Sequence, residues 1–168
     1  MKELPPRHES IRGYFAYELY SQMQSNSDIW VVTGDLGYKM LDFIKADFPE
    51  RFVNVGAAEQ TLMGVGVGLA MEGKIPFVYS ITPFLLFRAA ETIRNYVNHE
   101  QIPVKLIGSG FESDYTHDGP SHHNYDDKQL MEIFSNIQPS WPQTKEEVRG
   151  VVDWAVTNGQ PTYINLRR

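Results

Sequence analysis

The sequence predicts an α/β fold, a three-layer α/β/α sandwich built on a mostly parallel sheet. Three observations lead there. Segments with strand character alternate with helical segments along the chain, the order that produces parallel strands joined by crossover helices on both faces of a sheet. The strand segments are short and apolar, as in Ile29-Trp30-Val31-Val32-Thr33, which suits burial in such a sheet. Finally, 168 residues with 42% apolar and 21% charged side chains suit a single globular domain with a proper core.

Taken in order, residues 1–28 form an N-terminal helical segment, with Glu9-Ser10 capping a helix that runs to about Met23. Tyr14, Phe15, Tyr17 and Tyr20 cover more than one face of that helix; core packing explains most of them, and the surplus points to a partner surface. The strand at 29–33 ends in Gly34-Asp35-Leu36-Gly37, a loop expected to line a crevice. Residues 40–48 form a helix stopped by Pro49, and residues 52–55 the second strand. A tight loop, Val55-Gly56-Ala57-Ala58, then opens a helix that starts near Glu59 and closes around Glu72-Gly73. Its glycines at 64, 66 and 68 lie inside the helix and leave it thin, so they are not a dinucleotide-binding fingerprint. A third strand follows at 75–79, a long helix at 84–99 and a fourth strand at 103–107. Residues 108–125 form a polar loop with three of the five histidines, and loops beyond ~12–15 residues in a compact domain usually carry function. Next come a helix at 126–135, a short strand at 137–139, and a last helix opened by the capping box Thr144-Lys145-Glu146-Glu147 and closed at Asn158-Gly159. The final strand, 162–166, runs into Arg167-Arg168.

Composition excludes several function classes. A net charge of −6 argues against nucleic acid or an anionic membrane as the main partner. With no cysteine there is no disulfide, thiol catalysis or zinc–thiolate site, which fits a reducing cytoplasm. Residues 1–10 are polar with no apolar signal region, and no apolar run approaches the ~20 residues that span a bilayer. The expectation is a soluble cytoplasmic protein that acts on a small molecule.

Ligands in parallel α/β sheets bind at the carboxyl ends of the strands. The Glu59 loop, the Ile81-Thr82-Pro83 turn and the 108–125 loop all follow strands, so they crowd one rim. Taken alone, each residue there has a plain reading. A first-turn acid such as Glu59 is comfortable at a helix N-terminus. Phe84 and Phe87, three apart, share one helix face, as core residues do. His117, Asp118, His122 and His123 are metal-ligand types, but nothing in their spacing fixes a coordination geometry, so no metal site is assigned. Arg167 and Arg168 form a terminal pair, either solvated charge or a guanidinium fork suited to phosphate.

Three stretches taken together say more. Gly56-Ala57-Ala58-Glu59-Gln60 before a glycine-rich helix, Ser80-Ile81-Thr82-Pro83-Phe84-Leu85-Leu86-Phe87, and Asp118-Gly119-Pro120-Ser121-His122-His123 resemble, in order and spacing, the pyrimidine-binding domain of transketolase-like thiamine-diphosphate enzymes. The resemblance spans roughly residues 29–168. It implies thiamine diphosphate as cofactor, with Glu59 sharing a proton with the aminopyrimidine ring nitrogen in a site shielded from water. It also implies that Phe84 completes the apolar pocket and Phe87 stacks on the aminopyrimidine. Asp118 and His122 correspond to residues that contact donor-substrate hydroxyls or move protons during ketol transfer, and His123 to a second histidine of the deoxyxylulose-phosphate synthases. Arg168 falls where transketolases place an arginine that grips the sugar phosphate, and Arg167 is equally placed.

The sequence departs from the family pattern at several points. Ala90 replaces a tyrosine, which reshapes one wall, and Gly108-Ser109-Gly110-Phe111 stands where a phosphate-binding histidine is expected. An unphosphorylated or differently decorated substrate is therefore compatible with the chain. The Gly-Asp-Gly signature of the diphosphate-binding domain is absent. The resemblance thus implies a diphosphate-binding partner subunit that holds most of the Mg2+ contacts, in a hetero-oligomer with two copies of each chain. The Met1 start favours a separate gene product. The reading is a pyrimidine-binding subunit of a two-chain transketolase-like transferase of carbohydrate metabolism, making or breaking a carbon–carbon bond in a ketose or 2-oxo substrate. Two alternatives are a beta-type subunit of a 2-oxoacid decarboxylase or dehydrogenase, disfavoured by the 118–123 loop, and a degenerate binding domain, disfavoured by Glu59 and Phe87.

Overall fold

The computed structural model describes residues 9–168; residues 1–8 of the predicted N-terminal segment lie outside them. Six parallel strands form one sheet: β1 Ile29–Thr33, β2 Phe52–Asn54, β3 Ile75–Ile81, β4 Lys105–Ser109, β5 Gln138–Ser140 and β6 Thr162–Leu166. Their order is β2-β1-β3-β4-β6-β5, with Val31 level with Phe77 and Ile107 level with Ile164 across the middle. Because β2 and β3 flank β1 on opposite sides, the chain reverses direction across the sheet at β1 and β3. Their C-terminal loops part there and leave a crevice.

Helices cover both faces. On one side, α1 (Ile11–Ser25), α2 (Asp42–Asp47) and α7 (Lys145–Thr157) pack on Val31, Phe77, Tyr79, Ile107 and Ile164. On the other, α3 (Glu59–Met71), α4 (Thr82–Arg88) and α6 (Asp127–Ile133) pack on Val32, Val78, Leu106 and Tyr163. Alternate residues of one strand thus feed two separate cores, which is why the strands read as continuous apolar runs. The three-layer fold predicted from alternation is the one observed.

Local signals behave as their chemistry dictates. The Ser10 side chain accepts from the Gly13 N–H and caps α1, and Thr144 with Glu147 forms the complete capping box of α7. The aromatics of α1 do not form a partner surface. Tyr14, Phe15, Tyr17 and Tyr20 are all buried in the described fold, so aromatics on more than one face of the helix are enclosed by it.

The predicted helix over 84–99 is corrected. The helix starts earlier, at Thr82, with Pro83 in its first turn, and α4 ends at Arg88 because Ala89 leaves helical geometry (φ −110°, ψ 17°). A single turn, α5 (Ala90–Thr92), leads into a π-helical stretch, Ile93–His99, which buries Ile93 and Val97. The fourth strand sits two residues later than predicted, since Pro103 has no N–H to give a ladder and pairing with β3 begins at Lys105. The 108–125 loop is ordered by two 3-10 turns, Thr116–Asp118 and Pro120–His122, and by an antiparallel bridge between Glu112 and Asn124.

Candidate active site

The loop after β2 places Glu59 at the head of α3, beside the crevice. Glu59 is only 3% exposed, so it is not a solvated first-turn acid. Ser80 at the end of β3 donates to its Oε1 (3.2 Å), and Arg88 at the end of α4 donates from Nη1 to its Oε2 (2.9 Å). Gly34, just after β1, allows the approach: a Cβ there would sit 3.3 Å from the Gly56 carbonyl and 3.9 Å from Glu59 Oε1. Asn54 ties the two loops together, its Oδ1 accepting from the Asp35 N–H (2.9 Å) and the Gly56 N–H (3.0 Å). Asp35 and Lys39 are held at φ 60° and 63°, a left-handed conformation that non-glycine residues adopt at some cost.

Arg88 lies over the face of Phe84, its guanidinium carbon 3.7 Å from the ring centroid. His122 also packs on that ring, edge-on at 4.7 Å between centroids. Glu59, Arg88, Phe84 and His122 therefore form one continuous column from the sheet to the 108–125 loop. Phe87, by contrast, is 51% exposed. Asp118 ends its 3-10 turn in an exposed position, and Ser121 Oγ lies 3.1 Å from His122 Nδ1. His123 packs edge-on to Tyr125 with its Nε2 buried and without a partner. Among the described residues, no cluster of three His, Cys, Asp or Glu side chains is placed to hold a metal ion.

A buried network holds the column in position. The Asn165 amide on β6 donates to Thr82 Oγ1 (2.9 Å), the Gly110 carbonyl (3.0 Å) and the Tyr163 hydroxyl (3.0 Å). Tyr163 OH and Trp141 Nε1 each donate to Asp127 Oδ2 at 2.8 Å. Burial pushes the Tyr163 hydroxyl well above its usual pKa, and the Asp127 carboxylate adds to the shift, so it stays a donor. A Cβ on Gly108 would meet Thr82 Oγ1 at 2.6 Å, so this strand position has to lack a side chain.

Across β3 from the column, on the α1 face of the same rim, lies a cavity of about 360 Å3. Arg12, Lys39 and Arg168 reach its walls, together with Tyr38, Tyr79 and Tyr115. Arg12 Nη1 donates to Ser109 Oγ (3.1 Å) and Tyr115 OH (3.0 Å), and its Nε is buried without a partner. Arg168 stacks on Tyr115 at 4.8 Å, whereas Arg167 turns away to pair with Asp114 (3.6 Å). Of the two equally placed arginines, Arg168 is thus the one on the cavity. Burial raises the Tyr79 hydroxyl, with the Arg12 charge and Ser109 opposing.

Sequence reasoning missed Arg12, Lys39 and Arg88. Arg88 lies four residues after Phe84 on one helix, a spacing that brings a cation over a ring, so a signal for it existed. Arg12 and Lys39 are scattered along the chain and meet only in the fold.

Residues 9–168 match the family described as the transketolase pyrimidine-binding domain. The chain is 40% identical over 128 residues to a subunit of the apulose-4-phosphate transketolase of Actinobacillus succinogenes, covering 76% of this chain and 41% of that protein. It is 29% identical to a putative transketolase C-terminal section of Methanocaldococcus jannaschii, covering 100% of this chain and 54% of that one. A split-gene transketolase solved as an inactive beta4 tetramer superimposes with a TM-score of 0.83 at 37% identity, over 95% of this chain and 51% of its own. The chain thus spans about half the length of the relatives it matches. With the family matched over residues 9–168, the chain belongs to the transketolase pyrimidine-binding domains.

Proposed function

We propose that the chain is the pyrimidine-binding subunit of a two-chain, thiamine-diphosphate-dependent transferase of the transketolase kind. The observation that carries this reading is Glu59: a buried carboxylate held by Ser80 on one oxygen and by Arg88, which lies over Phe84, on the other. That donor set fits the aminopyrimidine end of the cofactor, a flat heterocycle with a ring nitrogen to meet the acid and a face to meet a phenyl ring. When bound, the cofactor supplies the nucleophilic carbon for cleaving or forming a bond beside a ketone.

In this reading Glu59 holds and shares the proton at the ring nitrogen, and Phe84 and Phe87 keep water away from it. His122, packed on Phe84, reaches substrate from the loop with Asp118, and His123 supports the same loop. Arg168, joined by Arg12 and Lys39, binds an anionic group on the substrate. The relative that is one subunit of an apulose-4-phosphate transketolase supports both an anionic sugar and a partner chain. The diphosphate and Mg2+ are assigned to that partner, in an assembly of two copies of each chain.

The test is calorimetric titration of thiamine diphosphate with Mg2+ into this chain alone and into its mixture with the diphosphate-binding subunit from the same source. Binding only in the mixture, with transferase activity that Glu59→Gln abolishes, is the expected result. Tight binding by the chain alone, or full activity of Glu59→Gln, would sink the reading.

A further inference from the structure

We propose that Arg88 is a displaceable stand-in for the aminopyrimidine: a positioning residue that covers Glu59 until the ring arrives and then has to swing out. The inference rests on the reading of Glu59 given above.

Arg88 and an aminopyrimidine compete for the same place. Each is flat and offers a face to an aromatic ring; the guanidinium brings N–H donors to the carboxylate, whereas the ring nitrogen shares a single proton with it. Arg88 makes both contacts at once, with Glu59 Oε2 at 2.9 Å and with the face of Phe84 at 3.7 Å. A ring docked on Glu59 against that phenyl would need the volume that the guanidinium fills. The inner oxygen, Oε1, is already taken by Ser80, so Oε2 is the one left for either occupant.

Something has to sit there, because an ionised carboxylate buried without a partner is costly. The other groups against Glu59 are neutral: the Ser80 hydroxyl from β3 and the backbone around Gly34 from the loop after β1. Among the described residues, Arg88 is the charged group paired with it.

Arg88 is also built to leave. Its side chain is 49% exposed, on a long stem at the last position of α4, just before Ala89 breaks the helix. Swinging into water gives up its stack on Phe84, a contact the incoming ring takes over, and an ion pair with one half-exposed member is weak enough for a ligand to displace. A lysine could keep the charge but could neither stack nor fork.

The experiment follows thiamine, which lacks the diphosphate, titrated into the complex of the full chain with its diphosphate-binding subunit and read by amide NMR shifts at Glu59 and Ser80. The variants are Arg88→Gln, Arg88→Lys, Glu59→Gln and the double variant. Arg88→Gln is expected to bind thiamine about two- to five-fold more tightly than wild type, the fold-change that removing a weak competing ion pair releases. Arg88→Lys should fall between the two, and the double variant should lose the gain. Equal or weaker binding by Arg88→Gln, with wild type still binding through Glu59, overturns the stand-in role and leaves the pyrimidine site intact. No shift in any protein up to millimolar thiamine overturns the pyrimidine reading and the stand-in with it.

Discussion

Replacing Asn165 by Asp changes one atom type in the network that anchors the site, and the structure sets the cost. The amide Nδ2 faces three oxygens, on Thr82, Gly110 and Tyr163, all within 3.0 Å. Two N–H groups serve these three acceptors, so their loss is worth about two buried hydrogen bonds, or about 2 kcal/mol. Asn165→Asp also turns an acceptor toward other acceptors at a buried position, adding an unsatisfied-group penalty of about 2 kcal/mol. The sum, about 4 kcal/mol, corresponds to a fall in Tm of about 8–16 °C for a domain of this size. The sign of its pH dependence follows. The buried carboxyl is better accommodated neutral, when it regains one O–H donor, so its folded pKa lies above the unfolded one. The stability difference from wild type should therefore shrink as pH falls and widen as pH rises. Thermal unfolding by far-ultraviolet circular dichroism at pH 5 and pH 7.5 reads both effects. A variant within about 2 °C of wild type at pH 7.5, where at least one hydrogen bond's worth of loss should show, refutes the reasoning. So does a deficit that grows on acidification.

Two further predictions concern opposite ends of the sheet. Lys105, buried at the start of β4, donates to Asn158 Oδ1 and the Gln160 carbonyl, and burial lowers its pKa from 10.5 to about 8. Between those values the unfolded chain binds more protons, so wild type should gain stability relative to Lys105→Met as pH rises from 8 to 10.5; urea unfolding that gives a flat difference would refute it. At the cavity, Arg12→Gln in the assembled enzyme should raise KM for a phosphorylated ketose about ten-fold, with kcat little changed, through loss of one charge-assisted hydrogen bond. An equal rise for the unphosphorylated ketose would show that Arg12 serves the fold and not the anion.

Much of the architecture is legible from local chemistry. The runs at 29–33 and 162–166 coincide with β1 and β6, since β-branched and apolar residues in short stretches have few other stable placements. The Thr144–Glu147 box marks the start of α7 because a cap satisfies the helix's own end groups and needs no distant partner. The 84–99 segment shows the limit. Nothing in Arg88-Ala89-Ala90 is a helix breaker, yet the chain departs from α geometry there, a departure that composition at those positions does not announce.

At the site the same division holds. The order of Glu59, Phe84 and the 118–123 loop along the chain, together with the strand that precedes each, places them on one rim, because parallel strands all point their carboxyl ends the same way. Which partners those residues take was decided by the tertiary fold. Arg88 reaches Glu59 across 29 positions, Arg12 reaches Ser109 across 97, and Asn165 reaches Thr82 across 83. By itself the sequence determined the layers, the strand ends and the acid that opens α3, all set by propensities and patterns read within a few residues. Only the folded sheet decided that this acid is buried, paired with an arginine and flanked by a basic cavity. Charge pairing and burial depend on distances in space, which the order of residues along the chain does not contain.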